Sequence, residues 1–218
     1  MNLYSYFYEN YNILMYKFLL INILASILLF ISCTKKITPV VTTIDIPEVI
    51  VKPVPRSVTQ KDSFPFAWLG LWEGTLNIYN AKGLSQSLPM QLDYQATDTI
   101  GVYKWNIIYG EDREKGLRPY MLRTVDAAKG QYLHDEMNTI KMESYYIGSR
   151  LYCTFSVQGN LLTTIEEKKG DELHWEIIFG KEKPASITGN QVVNGDTIPS
   201  VKTMPIMISQ RAILKRKK

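Results

Sequence analysis

The chain has 218 residues, 45% hydrophobic and 11% aromatic, with 25 Lys+Arg against 21 Asp+Glu for a formal net charge of +4. That apolar content excludes a polar disordered polymer and leaves room for one domain with a sizeable core. The terminal Lys215-Arg216-Lys217-Lys218 accounts for the whole positive excess, so the remainder is balanced, and no nucleic-acid partner is expected.

The first element is an apolar run, residues 18–32, preceded by the lone Lys17 and closed by Ser32-Cys33 before the polar Thr34-Lys35-Lys36. A short apolar segment ending in a small residue and cysteine reads as a lipoprotein export signal, with Cys33 acylated after cleavage. A membrane-spanning helix is the competing reading, but crossing a bilayer takes roughly 20 apolar residues. Residues 1–14, rich in Tyr and Asn, do not resemble a signal start, whereas Met15-Tyr16-Lys17 does, which points to Met15 as the true translation start. Residues 1–32 are therefore expected to be a signal peptide. About 185 residues would follow.

Residues 33–63 carry Pro39, Pro47, Pro53 and Pro55 among Val, Thr and Ile, without helical periodicity, and read as an extended tether behind the acylated cysteine. Thr34 stands where an inner-membrane retention signal usually has aspartate. By resemblance to exported bacterial lipoproteins, the outer membrane is the expected destination.

From residue 64 to 218 the chain reads as one domain of successive strands with a basic tail. In Leu71–Tyr79, alternation puts Trp72, Gly74, Leu76 and Ile78 on one face and Glu73, Thr75 and Asn77 on the other. The same period recurs in 103–109, 118–124, 151–157 and 173–179, separated by turn signals such as Lys82-Gly83, Gly148-Ser149 and Lys169-Gly170-Asp171. Asn194-Gly195-Asp196 adds a late hairpin or flap, and Ile206–Leu214 is the last strand, expected to pair with the first. About eight to ten strands joined by hairpins predict an all-β fold, a single antiparallel up-and-down barrel without open edges.

Gly70-Leu71-Trp72 on the opening strand, with an arginine on the closing strand able to lie over the indole, resembles the lipocalin and calycin group. Arg211 is the candidate partner, completing a signature of Gly70, Trp72 and Arg211. Trp105–Tyr109, Gly130–Glu136 and Phe155–Gly159 are similar to uncharacterised bacterial lipoproteins with such barrels. The resemblance implies a fold and a compartment, and no activity.

Signatures of hydrolases, zinc sites and phosphate-binding loops are missing, and two histidines cannot build a multi-histidine metal site. No catalytic residue, metal or cofactor is expected. His134, beside Asp135 and Glu136, reads as a polar strand end entering a turn, and Glu166-Glu167-Lys168-Lys169 as a solvated hairpin tip. Cys153, in phase with Leu151 and Phe155, reads as a buried thiol. Continuing the phase of Trp72 places Trp105, Tyr109, Arg118 and Tyr120 inside the barrel, a set that suits an apolar molecule with an acidic or carbonyl head. Two functions follow as expectations: a tethered barrel holding a small hydrophobic ligand, or a filled barrel that docks an envelope partner through exposed aromatics, Tyr145, Tyr146 and Tyr152.

Overall fold

Each long strand from Gly70 onward pairs antiparallel with its neighbour, and the last returns to the first. In the computed structural model, residues 63–217 are described. The chain divides into two units, Met1–Glu48 and Val49–Lys218, and all described residues belong to the second. The signal, Met15, Cys33 and nearly all of the tether lie outside the described residues.

The strands are β1 Gly70–Asn80, β2 Gly83–Ala96, β3 Val102–Tyr109, β4 Leu117–Arg118, β5 Met121–Asp126, β6 Gln131–Asp135, β7 Lys141–Ile147 and β8 Arg150–Val157. They continue with β9 Asn160–Lys169, β10 Glu172–Lys181, β11 Ser186–Thr188, β12 Gln191–Val193, β13 Asp196–Ile198, β14 Val201–Thr203 and β15 Ile206–Arg216. The order β1-β2-β3-β5-β6-β7-β8-β9-β10-β15, with β15 back on β1, closes a 10-strand antiparallel barrel. Closure leaves no unpaired ladder in the wall, which is how a sheet of this length avoids an exposed edge.

Two departures from simple alternation have local causes. The strand expected over 118–124 is split into β4 and β5 at Pro119, which has no N–H to give to a ladder; the Trp105 N–H instead reaches the Tyr120 carbonyl at 2.9 Å. Between β10 and β15 the chain leaves the wall as a two-stranded arm, β11 with β14 and β12 with β13, turning at Asn194-Gly195. Both turn residues have positive φ, 52° and 89°, the backbone that a two-residue hairpin demands and that Asn-Gly adopts most easily.

The core is the inner face of the wall. Period-two alternation turns Trp72 and Leu76 of β1, Leu92 and Tyr94 of β2, Trp105 of β3, Leu151 of β8, Leu173 and Trp175 of β10 and Leu214 of β15 inward, all buried. Residues ahead of the wall are not a strand: Phe66–Trp68 form a single 3-10 turn that lies across one end of the barrel. Phe64 stacks on Tyr146 at 4.2 Å and meets Trp68, Tyr132 and Trp105 edge-on at 4.7, 4.9 and 6.0 Å. Phe66 meets Tyr103 at 5.6 Å.

This plug is fastened from the last strand. Register sets Arg216 opposite Trp72, and its guanidinium lies 4.2 Å from the indole centroid while donating to the carbonyls of Leu69 and Ala67. Trp72 Nε1 donates to the Trp68 carbonyl at 2.8 Å. Gly70 is required here, because a Cβ would sit 2.6 Å from an Arg216 nitrogen and φ is +134°. The expectation for Arg211 is therefore corrected: Arg211 points outward and covers the Tyr79 ring at 4.6 Å, and Arg216 is the cation over Trp72. The two lie five positions apart, an odd offset that places them on opposite faces of one strand.

Candidate functional site

Away from the plug, the inner wall changes character. The inward side chains Ile78, Leu88, Ile107, Tyr109, Tyr120 and Ile177 pack on the core while remaining half-buried. Inside they border a polar group that alternation on β9 turns inward. Glu166, opposite Trp175 on β10 and Leu151 on β8, is 3% exposed. Its Oε2 accepts from the Tyr94 hydroxyl at 2.8 Å and its Oε1 from Trp105 Nε1 at 3.4 Å. The Tyr94 ring stacks on Trp105 at 3.6 Å, so one aromatic pair aims both donors at one carboxyl.

Burial dominates the electrostatics. It pushes the Glu166 carboxyl up to about 7, against the opposing hydrogen bonds from Tyr94 and Trp105. The Tyr94 phenol is raised well above its ordinary value by burial and by Glu166. Tyr109 and Tyr120 are raised by burial, with Arg118 pulling the other way. No salt bridge joins Glu166 to a basic side chain among the described residues, so it is a buried acid without a counter-ion.

A second buried polar set lies beyond Trp105. The His134 ring is 6.5 Å from the indole, and Nδ1 shares a 2.6 Å hydrogen bond with the Ser144 hydroxyl. Burial alone lowers His134 to about 4, so the imidazole is neutral at pH 7. Cys153 faces the same hydroxyl; burial raises the thiol, with Ser144 opposing, which leaves an inert structural thiol.

Of the residues expected inside, Trp105 is fully buried, and Tyr109 and Tyr120 line the half-buried end. Arg118 stands opposite Ile107 on β3, and its charge reaches Tyr109 and Tyr120. Its Nη1 donates to the carbonyls of Lys115 and Leu117 at 3.1 and 2.8 Å, tying down the turn that enters β4. His134 lies near the end of β6, as expected of a strand end, with its side chain buried, and the reading of Glu166 as part of a solvated hairpin tip is corrected, since it is buried in the barrel. Tyr145 is exposed at 39%, but Tyr146 turns inward onto Phe64, so the two do not form one outer patch.

The outer wall carries a shallow groove of about 750 Å³ across β1, β15, β10, β9 and β8. It is lined by Tyr79, Arg150, Glu167, Glu176, Arg211 and Lys215 among others. The Arg150–Glu167 pair at 2.9 Å and Lys169–Glu167 at 3.1 Å neutralise part of it. Among the described residues, no group of His, Cys, Asp and Glu is arranged to hold a metal, and no helix is long and apolar enough to cross a membrane.

Neither a protein-family model nor a curated protein matches the chain. Among solved structures it is similar to a protein of unknown function from the DUF3598 family of Nostoc punctiforme, at 12% identity and a TM-score of 0.48. The alignment covers 68% of this chain and 47% of that one, so the chain spans about half of that protein's length.

Proposed function

We propose that the chain is an exported lipoprotein, acylated at Cys33 and held at the outer membrane, whose barrel is a one-ended cup for a small apolar molecule bound without covalent chemistry. The observation that carries the cup is the asymmetry of the interior. One end is crossed by the turn that carries Phe64 and the buried Trp68, while at the other Tyr109, Tyr120, Ile107 and Ile177 point inward and stay half-buried. Inward apolar side chains that a wall has not finished covering are the usual lining of a small-molecule site. The anchor rests on the apolar run 18–32 and the Ser32-Cys33 junction.

Purified full-length protein, extracted into organic solvent and examined by mass spectrometry, should yield a stoichiometric small apolar molecule; its consistent absence would sink the cup. For the anchor, Cys33→Ser should move the protein into the soluble envelope fraction, and unchanged membrane association would refute acylation. A second reading, an envelope docking module, is favoured by the outer groove. It predicts that charge reversal at Arg211 and Lys215 releases a co-purifying protein without altering the extracted molecule.

A further inference from the structure

Besides the cation expected for an acidic head, the interior buries an acid, Glu166. We propose that the cup selects an apolar molecule bearing an amine head, with the Glu166 carboxylate as counter-ion to the ammonium. The inference rests on the cup reading and assigns its ligand class.

Four features converge on that head group. Glu166 is buried and has no cationic partner, so an ammonium would supply the charge that the site lacks. Each carboxylate oxygen receives one donor, from Tyr94 and from Trp105, and a carboxylate has roughly four acceptor positions, so lone pairs remain for a ligand N–H. Trp175 is beside Glu166 in register, and Tyr109, which feels the Glu166 charge, meets the Trp175 ring edge-on at 6.2 Å, so aromatic rings that an ammonium favours lie near the carboxyl. Arg118, opposite Ile107, gives Nη1 to the carbonyls of Lys115 and Leu117, and a fatty acid's carboxylate reaching past it would meet a like charge in Glu166.

The titratable groups around Glu166 are Tyr94 from β2, Tyr109 from β3 and Cys153 from β8, with Trp175 from β10 contributing none. All three ordinarily titrate above pH 7 and burial raises them further, so the carboxyl alone changes charge near neutrality. An ammonium needs the ionised carboxylate, and below the Glu166 transition at about 7 its binding must expel a proton. Amine affinity should then fall by about tenfold for each pH unit below 7.

The test titrates full-length protein with octylamine, octanoate and octanol at pH 8, 7 and 6, followed by tryptophan emission, since Trp105 and Trp175 flank the carboxyl. Octylamine should bind at least tenfold more tightly than octanoate at pH 8 and lose that lead toward pH 6, as a tenfold-per-unit proton competition requires. Glu166→Gln should remove the amine preference while octanol still binds. Octanoate equal to or better than octylamine, or an amine affinity indifferent to pH in the wild-type protein, would overturn the amine assignment and leave the cup standing. Binding of none of the three would overturn the cup itself. The wild-type pH series decides even if the variant fails to fold.

Discussion

Inside the wall Trp72, Tyr94, Trp105 and Leu214 have 0% exposed surface, while Phe64, Phe66 and Tyr146 at the plugged end and Tyr109, Tyr120, Ile107 and Ile177 toward the other keep part of theirs. The wall residues come from the same sheet and the same alternation. What differs is the segment ahead of β1: Phe64, Phe66 and Trp68 add three aromatic side chains to one end. A sheet rolled into a tube covers only its own wall, and the axis must be filled from elsewhere. Stability should therefore be concentrated at one end, and capacity to change occupant at the other.

The largest test of that contrast is truncation. Trp72→Ala removes a fully buried indole and the seat of Arg216, and should cost about 3–5 kcal/mol. Ile177→Ala at the half-buried end should cost only about 1–2 kcal/mol, because its side chain is already partly in water. Urea midpoints at constant m-value measure both. Equal costs would mean that the second end is as closely packed as the first and that the cup does not exist.

The next test uses the two buried titratable groups between the ends. Folding raises Glu166 from 4.5 to about 7, so between these pH values the folded chain holds a proton that the unfolded chain has released, and stability falls as pH rises. Folding lowers His134 from 6.5 to about 4, so in that window the unfolded chain holds the extra proton and stability falls as pH drops. Each contribution spans about 3 kcal/mol, and over pH 4.5–6.5 they have opposite slopes, so their sum is flat in the wild-type protein. Glu166→Gln should expose the histidine slope, with stability climbing as pH rises from 4.5 to 6.5. His134→Gln should expose the carboxyl slope, with stability declining over the same range. Parallel flat profiles in both variants would mean that neither group is buried as described.

Glu166 also shows where the sequence stops being legible. The barrel was readable because β1, β3 and β10 alternate cleanly: Trp72, Trp105 and Trp175 all fall on the inner face that their spacing requires. Strand β9 does not alternate. Leu161, Leu162 and Ile165 lie on both faces, so its phase cannot be taken from polarity, and Glu166 beside Glu167, Lys168 and Lys169 reads as part of a charged tip. The phase was recoverable only by reflection through the Gly170-Asp171 turn: Lys169 opposite Glu172 forces Glu166 opposite Trp175, whose inward direction is unambiguous. The plug was misleading rather than silent: Phe64, Phe66 and Trp68 repeat every two residues in phase with Trp72, the period of a strand, whereas the chain forms a 3-10 turn there.

Arg216 was hidden in the same way, inside a basic run that looks like a solvated end, although alternation from Ala212 and Leu214 places it on the inner face. It offers the smallest and most discriminating test of the plug. Arg216→Ala removes two donors to the Leu69 and Ala67 carbonyls and the cation over Trp72, at an exposed site, and should cost about 1–2 kcal/mol. Arg211→Ala removes only an outward cation over Tyr79 and should cost about 0.5 kcal/mol. Tryptophan emission adds a readout that a purely electrostatic effect would not move: loosening the plug should let water reach Trp68 and shift the Arg216→Ala spectrum to the red, with Arg211→Ala unchanged. The reverse ranking would return the signature to Arg211 and mean that the segment from Phe64 to Leu69 is not fastened by the last strand. In the expected ranking, a single side chain at the end of the barrel sequence holds the residues that precede it, so the plug can seat only after β15 has closed on β1.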